Sequence, residues 1–270
     1  MTAIEKDRAS IRVCIAGIAG RMGTMVAREI STPFVIGAAV ESSESPKLGM
    51  ALREAGIAES DATVSAPEDL EGVLRGCDVF ISFATVGAEL TNLPIVARLE
   101  KPAVVGTTGF SNEQRASLNS IVRHIPIVIS PNFSVGANFL FAMTKTLSGL
   151  PAGYDFSILE IHHNRKADAP SGTAAKLAEI VTSRRGYTEL VHGRNGISGR
   201  KPSEMEVLSI RGGGNPGEHE VLAAGAFENI RLEHSVFSRS AFAQGALVAA
   251  KWVLQQKPGI YGMDEVLGLS

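Results

Sequence analysis

The chain has 270 residues, of which 44% are hydrophobic and 20% are charged, and its formal net charge is −2. This composition is typical of a globular protein with a substantial core, and the low charge excludes the basic field of a protein that binds nucleic acid or an anionic membrane. No apolar stretch reaches the roughly 18 residues of a membrane span, and the N-terminal segment MTAIEKDRAS lacks a signal-peptide core, so we expect a soluble, cytoplasmic protein.

Short apolar segments in the first half of the chain predict a parallel sheet. The first, residues 11–17, is a continuous apolar run that ends in glycine, as expected of a strand buried on both faces. The segment RMGTMVAREI that follows has the apolar spacing of a helix. Similar strand segments recur at residues 34–42, 77–83, 102–108 and 125–132. Their alternation with helical segments predicts an α/β fold with a Rossmann-type doubly wound parallel sheet.

The two cysteines of the chain, Cys14 and Cys77, both lie in these strand segments. In apolar surroundings of an intracellular protein, we expect buried, reduced thiols. We therefore predict no disulfide.

The pattern changes after residue 132. The segment NFLFAMTKTLSGL resembles a buried helix, YDFSILEIHH a strand, and TAAKLAEIVTSRRG an amphipathic helix closed by Gly186. Three strand segments then follow at hairpin-like spacing, namely EMEVLSIRGG, GEHEVLAAGAF and IRLEHSVFSR. Residues 242–256 form a strong helix pattern. We therefore predict a second, α+β domain with an antiparallel or mixed sheet.

A glycine-rich turn follows the first predicted strand. Gly17, Gly20 and Gly23 form the pattern G-x-x-G-x-x-G, because Ala19 replaces a glycine of the strict dinucleotide pattern. Glycines in such a turn let the backbone approach a pyrophosphate, and the N-terminus of the next helix supplies N–H donors. Glu41 ends the second strand, where an acid that binds ribose belongs. The pattern favours dinucleotide binding over an ordinary βα turn.

The choice between NADH and NADPH stays open in the sequence. Glu41 favours the 2′-hydroxyl of NAD. Ser42 and Ser43 could hydrogen-bond a 2′-phosphate, and Arg21 could lie nearby. We therefore expect NADH, NADPH or both as the cofactor.

The segment EIHHNRKADAPSGTA, residues 160–174, concentrates protonatable and cationic side chains. An adjacent histidine pair is most often one surface and one structural residue, and a lysine such as Lys166 is most often solvated. A strand would place His162 and His163 on opposite faces, so both reach one site only if the chain turns after them. No spaced set of cysteine, histidine or carboxylate ligands accompanies the pair, and we predict no metal.

The remaining interpretation of this segment is an anion-binding catalytic site. Lys166 and a histidine would neutralise carboxylates, while Ser171, Gly172 and Thr173 would present backbone N–H groups at the start of a helix. Pro170 fits at this start, where its missing N–H is not needed. A histidine that titrates near neutrality can donate the proton that accompanies hydride transfer. The segment predicts nicotinamide-dependent reduction of an unsaturated bond in a small molecule with one or two carboxylates.

Six segments of the chain occur in the order and at the spacing of a known family. They are IAGIAGRMG, VVGTTGF, SPNFSVGANFL, EIHHNRKADAPSGTA, RGGGNPGEHEV and SRSAFAQGAL. On these segments, and over nearly its whole length, the chain resembles the 4-hydroxy-tetrahydrodipicolinate (dihydrodipicolinate) reductases of diaminopimelate and lysine biosynthesis. The HHxxKxDAPSGTA core is highly specific. The resemblance implies reduction of the dihydrodipicolinate precursor to tetrahydrodipicolinate by NAD(P)H.

The resemblance implies roles for residues of both predicted domains. His162 would be the general acid, and Lys166 would bind or polarise a carboxylate of the substrate. The substrate-binding residues would be His163, Lys166, Ser171, Gly172, Thr173 and Arg239. The dinucleotide would be held by Gly17, Ile18, Ala19, Gly20, Arg21, Met22, Glu41 and Ser42. The nicotinamide side would be lined by Gly106, Thr107, Thr108, Ser130, Pro131, Asn132 and Phe133.

The resemblance also implies an assembly and a division into domains. Members form homotetramers through sheets of the second domain, and their C-terminal helix rejoins the first domain. We therefore expect a dinucleotide-binding domain over residues 1–132, joined by 240–270, and a substrate-binding and oligomerisation domain over 133–239.

Two positions depart from the family pattern. After the strand at 77–83 the family usually reads Asp-Phe-Thr/Ser-x-Pro, whereas this chain reads Ser82-Phe83-Ala84-Thr85-Val86. This changes the expected surroundings of the nicotinamide. Many bacterial members carry an arginine directly after the ribose-binding glutamate, where this chain has Ser42. We therefore expect dual cofactor use or a preference for NADH.

Two other functions stay open at this point. A dehydrogenase that acts on a semialdehyde or an amino-acid carbonyl would share the glycine-rich turn, but it has no reason to carry HHNRKADAPSGTA. A non-catalytic nucleotide sensor on the same fold should have lost the acid and the anion-binding residues. His162, Lys166, Ser171 and Thr173 are all present, which weighs against a sensor.

Overall fold

The computed structural model describes residues 10–269, which divide into two units. The first unit contains the residues up to Ser134 together with Phe242–Gly268, and the second contains Val135–Ala241. Residues 1–9, where we predicted no signal peptide, and residue 270 lie outside the described residues.

Seven parallel strands form the sheet of the first unit. In chain-order numbering they are β1 (Ile11–Ala16), β2 (Phe34–Val40), β3 (Val64–Ser65), β4 (Val79–Ser82), β5 (Ala103–Val105), β6 (Pro126–Ile129) and β12 (Gly259–Tyr261). Their order in the sheet is β12-β6-β5-β4-β1-β2-β3, and every pair is parallel. The predicted parallel sheet is confirmed. The sequence analysis missed β3 and β12, which are too short to carry a periodic pattern.

Helices cover both faces of this sheet. One face carries α1 (Arg21–Glu29), α7 (Ser240–Val253) and α8 (Met263–Val266), and the other carries α2 (Leu70–Leu74), α3 (Val86–Arg98) and α4 (Asn112–Val122). Val13 and Ile15 of β1 point into the first core, and Cys14 points into the second. Burial on both faces explains the uninterrupted apolar run of β1 and confirms the doubly wound fold.

Two smaller predictions also concern this part of the chain. Cys14 and Cys77 are free and buried, which confirms the prediction of reduced thiols. Within residues 10–269, no helix combines the length and the apolar character needed to cross a membrane.

The second unit contains a mixed five-stranded sheet. Its strands are β7 (Asp155–His162), β8 (Glu189–Val191), β9 (Glu204–Arg211), β10 (Glu218–Ala224) and β11 (Asn229–Ser235), in the order β11-β10-β7-β9-β8. Helices α5 (Val135–Leu147) and α6 (Gly172–Arg185) contribute to a core with this sheet. β10 is antiparallel to β7 and β11, whereas β9 is parallel to β7 and β8. The predicted mixed sheet is confirmed.

The pairing of β9 and β10 differs from what their hairpin-like spacing suggests. They are not neighbours, because β7 lies between them and only β10 and β11 form a hairpin. Arg211, at the end of β9, lies opposite His162, and Glu218, at the start of β10, lies opposite Ile161. The connection between β9 and β10 therefore passes the end of β7, which brings the ends of three strands to one point.

Candidate active site

The turn between β1 and α1 has a backbone shape that favours glycine. Gly17 has a φ of +71°, and a Cβ there would lie 2.9 Å from the carbonyl oxygen of Phe83. A Cβ on Gly23 would lie 2.1 Å from the carbonyl oxygen of Gly17, so the helix packs directly on the turn. Within the described α1 helix, no side chain caps the N-terminus and the first turn has no acidic residue. The N–H groups of residues 17–20 donate within the protein, so the uncapped start of α1 is the part of this turn that offers N–H groups to a pyrophosphate.

Replacing Gly23 with alanine is expected to lower the free energy of unfolding by about 1–3 kcal/mol, because the added methyl group meets fixed backbone atoms. Chemical denaturation measures this change. The matched control is Gly72→Ala in α2, where an added Cβ has nothing within 4 Å. That variant should be neutral or slightly more stable. Equal effects at the two positions would contradict the close packing of α1 on the turn.

Glu41 joins the end of β2 to the glycine-rich turn. Its Oε2 accepts a hydrogen bond from the Ala19 N–H at 2.7 Å, and its Oε1 accepts one from the Ser42 N–H at 3.0 Å. The structure thus brings the predicted residues of this motif together. Ile18 is fully buried, and its N–H donates to the Val40 carbonyl at 3.3 Å, whereas Arg21 and Ser42 are exposed.

The predicted nicotinamide residues follow the ends of β5 and β6. A Cβ on Gly106 would lie 2.1 Å from the ring of Phe83, and that ring packs edge to face on Phe133 with centroids 5.7 Å apart. Ser130 donates from its backbone N–H to the Val105 carbonyl at 3.2 Å. Thr107 is buried, whereas Thr108 and Pro131 are exposed. These residues line the carboxyl end of the sheet, where ligands bind in open α/β folds.

In the second unit, a fully buried carboxylate collects hydrogen bonds at the end of β7. Glu160 is 0% exposed, and its Oε1 accepts from the Ser171 N–H at 3.0 Å, from the Ser209 hydroxyl at 2.7 Å and from the Arg211 guanidinium at 2.7 Å. Burial alone would raise the pKa of Glu160. The nearby His162 and hydrogen bonds from Ser171, Arg211 and Ser209 outweigh this effect and hold the pKa well below its usual range. Glu160 is therefore a charged, buried anchor.

His162 lies against the second oxygen of this carboxylate. Its Nδ1 is 3.2 Å from Glu160 Oε2, and its side chain is almost entirely buried. The other ring nitrogen, Nε2, faces Gly217, where an added Cβ would lie only 3.0 Å from it. Glu160 thus stabilises a proton on Nδ1, and glycine at position 217 leaves space in front of Nε2. This arrangement suits an imidazole that gives a proton from Nε2.

His219 completes the buried cluster. Its ring is 5.0 Å from that of His162, and its Nε2 lies 3.1 Å from Ser171 Oγ and 3.7 Å from Glu160 Oε2. Burial, with a smaller effect of the nearby His162, lowers the pKa of His219 to about 4. His219 is therefore neutral at neutral pH, whereas His162 is the histidine of the cluster that lies nearer to the second oxygen of Glu160.

Glu160, His162 and His219 also place one possible metal-ligand atom each within 4.8 Å of one another. The sequence argument against a metal did not consider His219, which is distant along the chain. Arg211, however, donates to the same carboxylate and already supplies a positive charge beside it. The Arg211 guanidinium thus neutralises the charge of Glu160 without a metal ion. The absence of a metal stays a prediction.

Ser171 belongs to this internal network. Its N–H donates to Glu160, and its hydroxyl accepts from the Ala174 N–H at 3.2 Å as the N-cap of α6. Its N–H therefore already has an internal acceptor, and a contact of Ser171 with substrate stays a prediction. The helix does begin at Gly172 and end at the left-handed Gly186, as predicted. Gly172 is exposed and Thr173 half-buried at this N-terminus.

Positive charges surround His163, which follows the last residue of β7. Its Nδ1 is buried and has no hydrogen-bond partner among residues 10–269. Burial lowers the pKa of His163, and the charges of Arg165, Arg239 and Lys166 lower it further. Lys166 Nζ lies 2.7 Å from both carboxylate oxygens of Asp168. The predicted substrate residues His163, Lys166 and Arg239 thus share one positive field, which favours an anionic ligand.

Known proteins match both halves of the chain. A family model described as "Dihydrodipicolinate reductase, N-terminus" matches residues 11–133, and one described as "Dihydrodipicolinate reductase, C-terminus" matches residues 136–267. The chain belongs to the dihydrodipicolinate reductase family. The resemblance found in the sequence is confirmed.

Curated relatives cover almost the whole chain. A 4-hydroxy-tetrahydrodipicolinate reductase of Methanopyrus kandleri is 42% identical over 265 residues, which is 95% of this chain and 96% of the relative. One of Methanosarcina mazei is 39% identical over 269 residues, 96% of this chain and 100% of the relative. This chain therefore matches the reductases over both of their halves.

Solved structures agree on the fold. A dipicolinate-bound dihydrodipicolinate reductase from Paenisporosarcina sp. TG-14 superposes with a TM-score of 0.78 at 24% identity, covering 96% of this chain and 100% of that one. An amine dehydrogenase from Mycobacterium smegmatis gives a TM-score of 0.64 at 17% identity, covering 94% and 95%. The fold is thus shared with other dehydrogenases, and the reductase family is distinguished by sequence.

Four residues of the hydrogen-bond network around Glu160 were not predicted from the sequence: Glu160 itself, Ser209, Arg211 and His219. A signal for Glu160 was present, because in an alternating strand it shares the buried face of Ile158 and His162. Arg211 and His219 stand in RGGGNPGEHEV, one of the six segments that carried the family resemblance. Their roles depend on strand order, which the spacing did not predict.

Proposed function

We propose that this protein reduces 4-hydroxy-tetrahydrodipicolinate to tetrahydrodipicolinate with NADH or NADPH, as a step of diaminopimelate and lysine biosynthesis. The buried Glu160–His162 pair, set among cationic side chains in a chain of the dihydrodipicolinate reductase family, carries this proposal. An acid held in this way is what reduction of a charged, unsaturated ring requires, because a carbon atom must be protonated as hydride arrives.

The proposed cofactor site consists of the predicted residues at the carboxyl end of the first sheet. Gly17–Met22 would hold the pyrophosphate and Glu41 the ribose, with Ser42 beside it. The residues Gly106–Thr108 and Ser130–Phe133 would line the nicotinamide. When bound, the cofactor supplies the hydride. The close-packed turn at Gly17 and Gly23 supports this site, because any side chain there would fill the space near the phosphates.

His162 is the proposed proton donor. Loss of the 4-hydroxyl group as water first gives the conjugated dihydrodipicolinate ring. His162 Nε2 would then transfer a proton to the ring carbon next to the one that accepts hydride, so that hydride and proton together saturate one double bond and give tetrahydrodipicolinate. Glu160 Oε2, 3.2 Å from Nδ1, stabilises the protonated imidazole before transfer. Arg211 and Ser209 hold Glu160 in place, so they act through His162.

The proposed substrate carries two carboxylates. Lys166 and Arg239 supply a positive field beside His163 for one of them, and Gly172 and Thr173 begin a helix whose N-terminus suits the other. The Paenisporosarcina reductase, which has the same fold, was solved with dipicolinate bound. Dipicolinate carries two carboxylates at the same ring positions as the proposed substrate. This supports a small dicarboxylate as the substrate of this chain as well.

The decisive experiment is oxidation of NADH and of NADPH by the purified protein, with substrate made in the cuvette by a dihydrodipicolinate synthase. Oxidation that depends on the product of the synthase is the expected result. The ratio of the rates with NADH and NADPH then gives the cofactor preference, which we relate to Ser42. Binding of a dinucleotide without oxidation would instead favour a sensor or another dehydrogenase.

Replacing Lys166 with alanine is expected to raise the KM for substrate by about tenfold or more, because one charge-assisted contact to a carboxylate is lost. Steady-state kinetics at saturating cofactor measure this change. The matched control is Lys176→Ala on α6, where the lysine pairs with Glu179 on the surface; its KM should not change. An unchanged KM in the Lys166 variant would remove this residue from the site.

We also propose a cytoplasmic homotetramer. The second unit exposes large apolar side chains, among them Leu190, Ile210 and Phe237, and exposed apolar surface often marks a protein interface. Two free thiols suit the reducing cytoplasm.

A further inference from the structure

Glu89 is a fully buried carboxylic acid that the proposed reaction does not use. It lies in the first turns of α3 and is 0% exposed. Its Oε1 accepts hydrogen bonds from the Ser82 hydroxyl at 2.5 Å and from the Thr107 hydroxyl at 2.6 Å. Its Oε2 is buried without a hydrogen-bond partner in the part of the chain that the structure describes. Burying a carboxyl oxygen without a hydrogen-bond partner costs free energy that an apolar residue at this position would not cost.

Both hydroxyl groups belong to segments at the proposed nicotinamide site. Ser82 ends β4, and its carbonyl accepts from the Gly106 N–H at 2.9 Å. Thr107 follows β5, and its hydroxyl lies 3.0 Å from the Ala84 carbonyl as well. Glu89 therefore links α3 to the end of β4 and to the turn at residues 106–108.

The turn at residues 106–108 packs closely on its neighbours, so a change in its contacts with Glu89 would shift it against them. Gly106 packs so closely on Phe83 that an added Cβ would lie 2.1 Å from its ring. Ser82 stands where the family resemblance led us to expect aspartate, and Glu89 places a carboxyl group at hydrogen-bond distance from it. A carboxyl group therefore lies near the turn in this chain too, but it belongs to Glu89 of α3 and not to residue 82.

We propose that Glu89 is a positioning residue for the cofactor: it fixes the turn at residues 106–108, and thereby the affinity for the nicotinamide end of NAD(P)H. This inference rests on the proposed function. Glu89 does not touch the reacting atoms, because it is buried beneath the turn. Its replacement should therefore change cofactor affinity more than the rate of the chemical step.

Titration of the intrinsic fluorescence of NADH gives the Kd for each purified variant. Glu89→Leu is expected to raise this Kd by about tenfold, the effect of losing one to two hydrogen bonds that hold a binding loop. Glu89→Gln keeps the accepting oxygen and should stay within about threefold of the wild type. Thr107→Val should resemble Glu89→Leu, and the double variant should lose little more than either single variant.

The matched control is Leu93→Ala, one turn further along α3, where the leucine is fully buried in the apolar core. It should lower the melting temperature and leave the Kd for NADH unchanged. If Glu89→Leu also changes only the melting temperature, Glu89 is a structural residue and the proposal is wrong. If Glu89→Leu does not fold, Ser82→Ala decides by the same titration, because Ser82 binds Glu89 and lies outside the proposed nicotinamide residues; a Kd equal to that of the wild type would overturn the proposal. A wild-type protein that binds neither NADH nor NADPH would overturn the proposed function itself.

Discussion

Replacing His162 with glutamine is expected to lower kcat by about 10²–10⁴-fold, the usual contribution of a positioned proton donor. Glutamine can fill much of the same space and hydrogen-bond Glu160, but it cannot transfer a proton at neutral pH. The KM for substrate should change by much less than kcat, because the lost interaction belongs to the transition state. Steady-state rates with synthase-generated substrate, at saturating NADH, measure both constants.

Two comparisons make the His162 result specific. His124→Gln replaces an exposed histidine of the first unit and should leave both constants unchanged. His163→Gln removes a proposed substrate contact and should act mainly on KM. If His162→Gln instead raised only KM, the proton donor would be another group, and His162 would be a binding residue.

Replacing Glu160 with glutamine is expected to lower the free energy of unfolding at pH 7 by about 3 kcal/mol, the lower end for breaking a buried ion pair. The neutral amide leaves the Arg211 guanidinium without its counter-charge at a 2.7 Å contact. It also removes the negative charge beside His162. We therefore expect kcat to fall together with stability. Urea denaturation and steady-state kinetics on the same preparation measure the two effects.

The stability effect should depend on pH in a defined direction. Because the folded state holds the pKa of Glu160 below its usual value, the stabilisation is fully present above the unfolded pKa of about 4.3. It is lost as the pH falls below that value. The unfolding free energies of wild type and Glu160→Gln should therefore converge in acid and differ most above about pH 5.

His219 also lowers the stability in acid, and it does so in both the wild type and the Glu160→Gln variant. Its pKa is lowered to about 4 by burial, so the folded state binds its proton less readily than the unfolded state, whose pKa is about 6.5. Stability should fall in both proteins as the pH drops from about 6.5 towards 4. Glu179→Gln, an exposed change on α6, is the control and should follow the wild type. A difference between Glu160→Gln and wild type that stayed constant down to pH 3 would contradict a charged Glu160.

The sequence by itself determined the family and most of the architecture. Continuous apolar runs predicted β1, β2, β4, β5 and β6, because strands buried on both faces need no polar alternation. The glycine-rich turn was readable for a similarly local reason, since its backbone shape excludes most side chains. The segment EIHHNRKADAPSGTA indicated an acid, a cation and a helix start because these groups are adjacent in the chain.

Only the tertiary structure decided how the groups act together. Glu160 owes its charge state to His162 and Ser171, which lie near it in the chain, and also to Arg211 and Ser209, which are 51 and 49 residues away. These contacts exist because β9 and β10 flank β7, whereas local spacing had suggested a hairpin. Glu89 likewise meets Thr107 only because β4 and β5 are neighbours in the sheet. Local patterns specify which chemical groups are present. The order of strands brings them to hydrogen-bond distance, and that distance sets their charge and orientation.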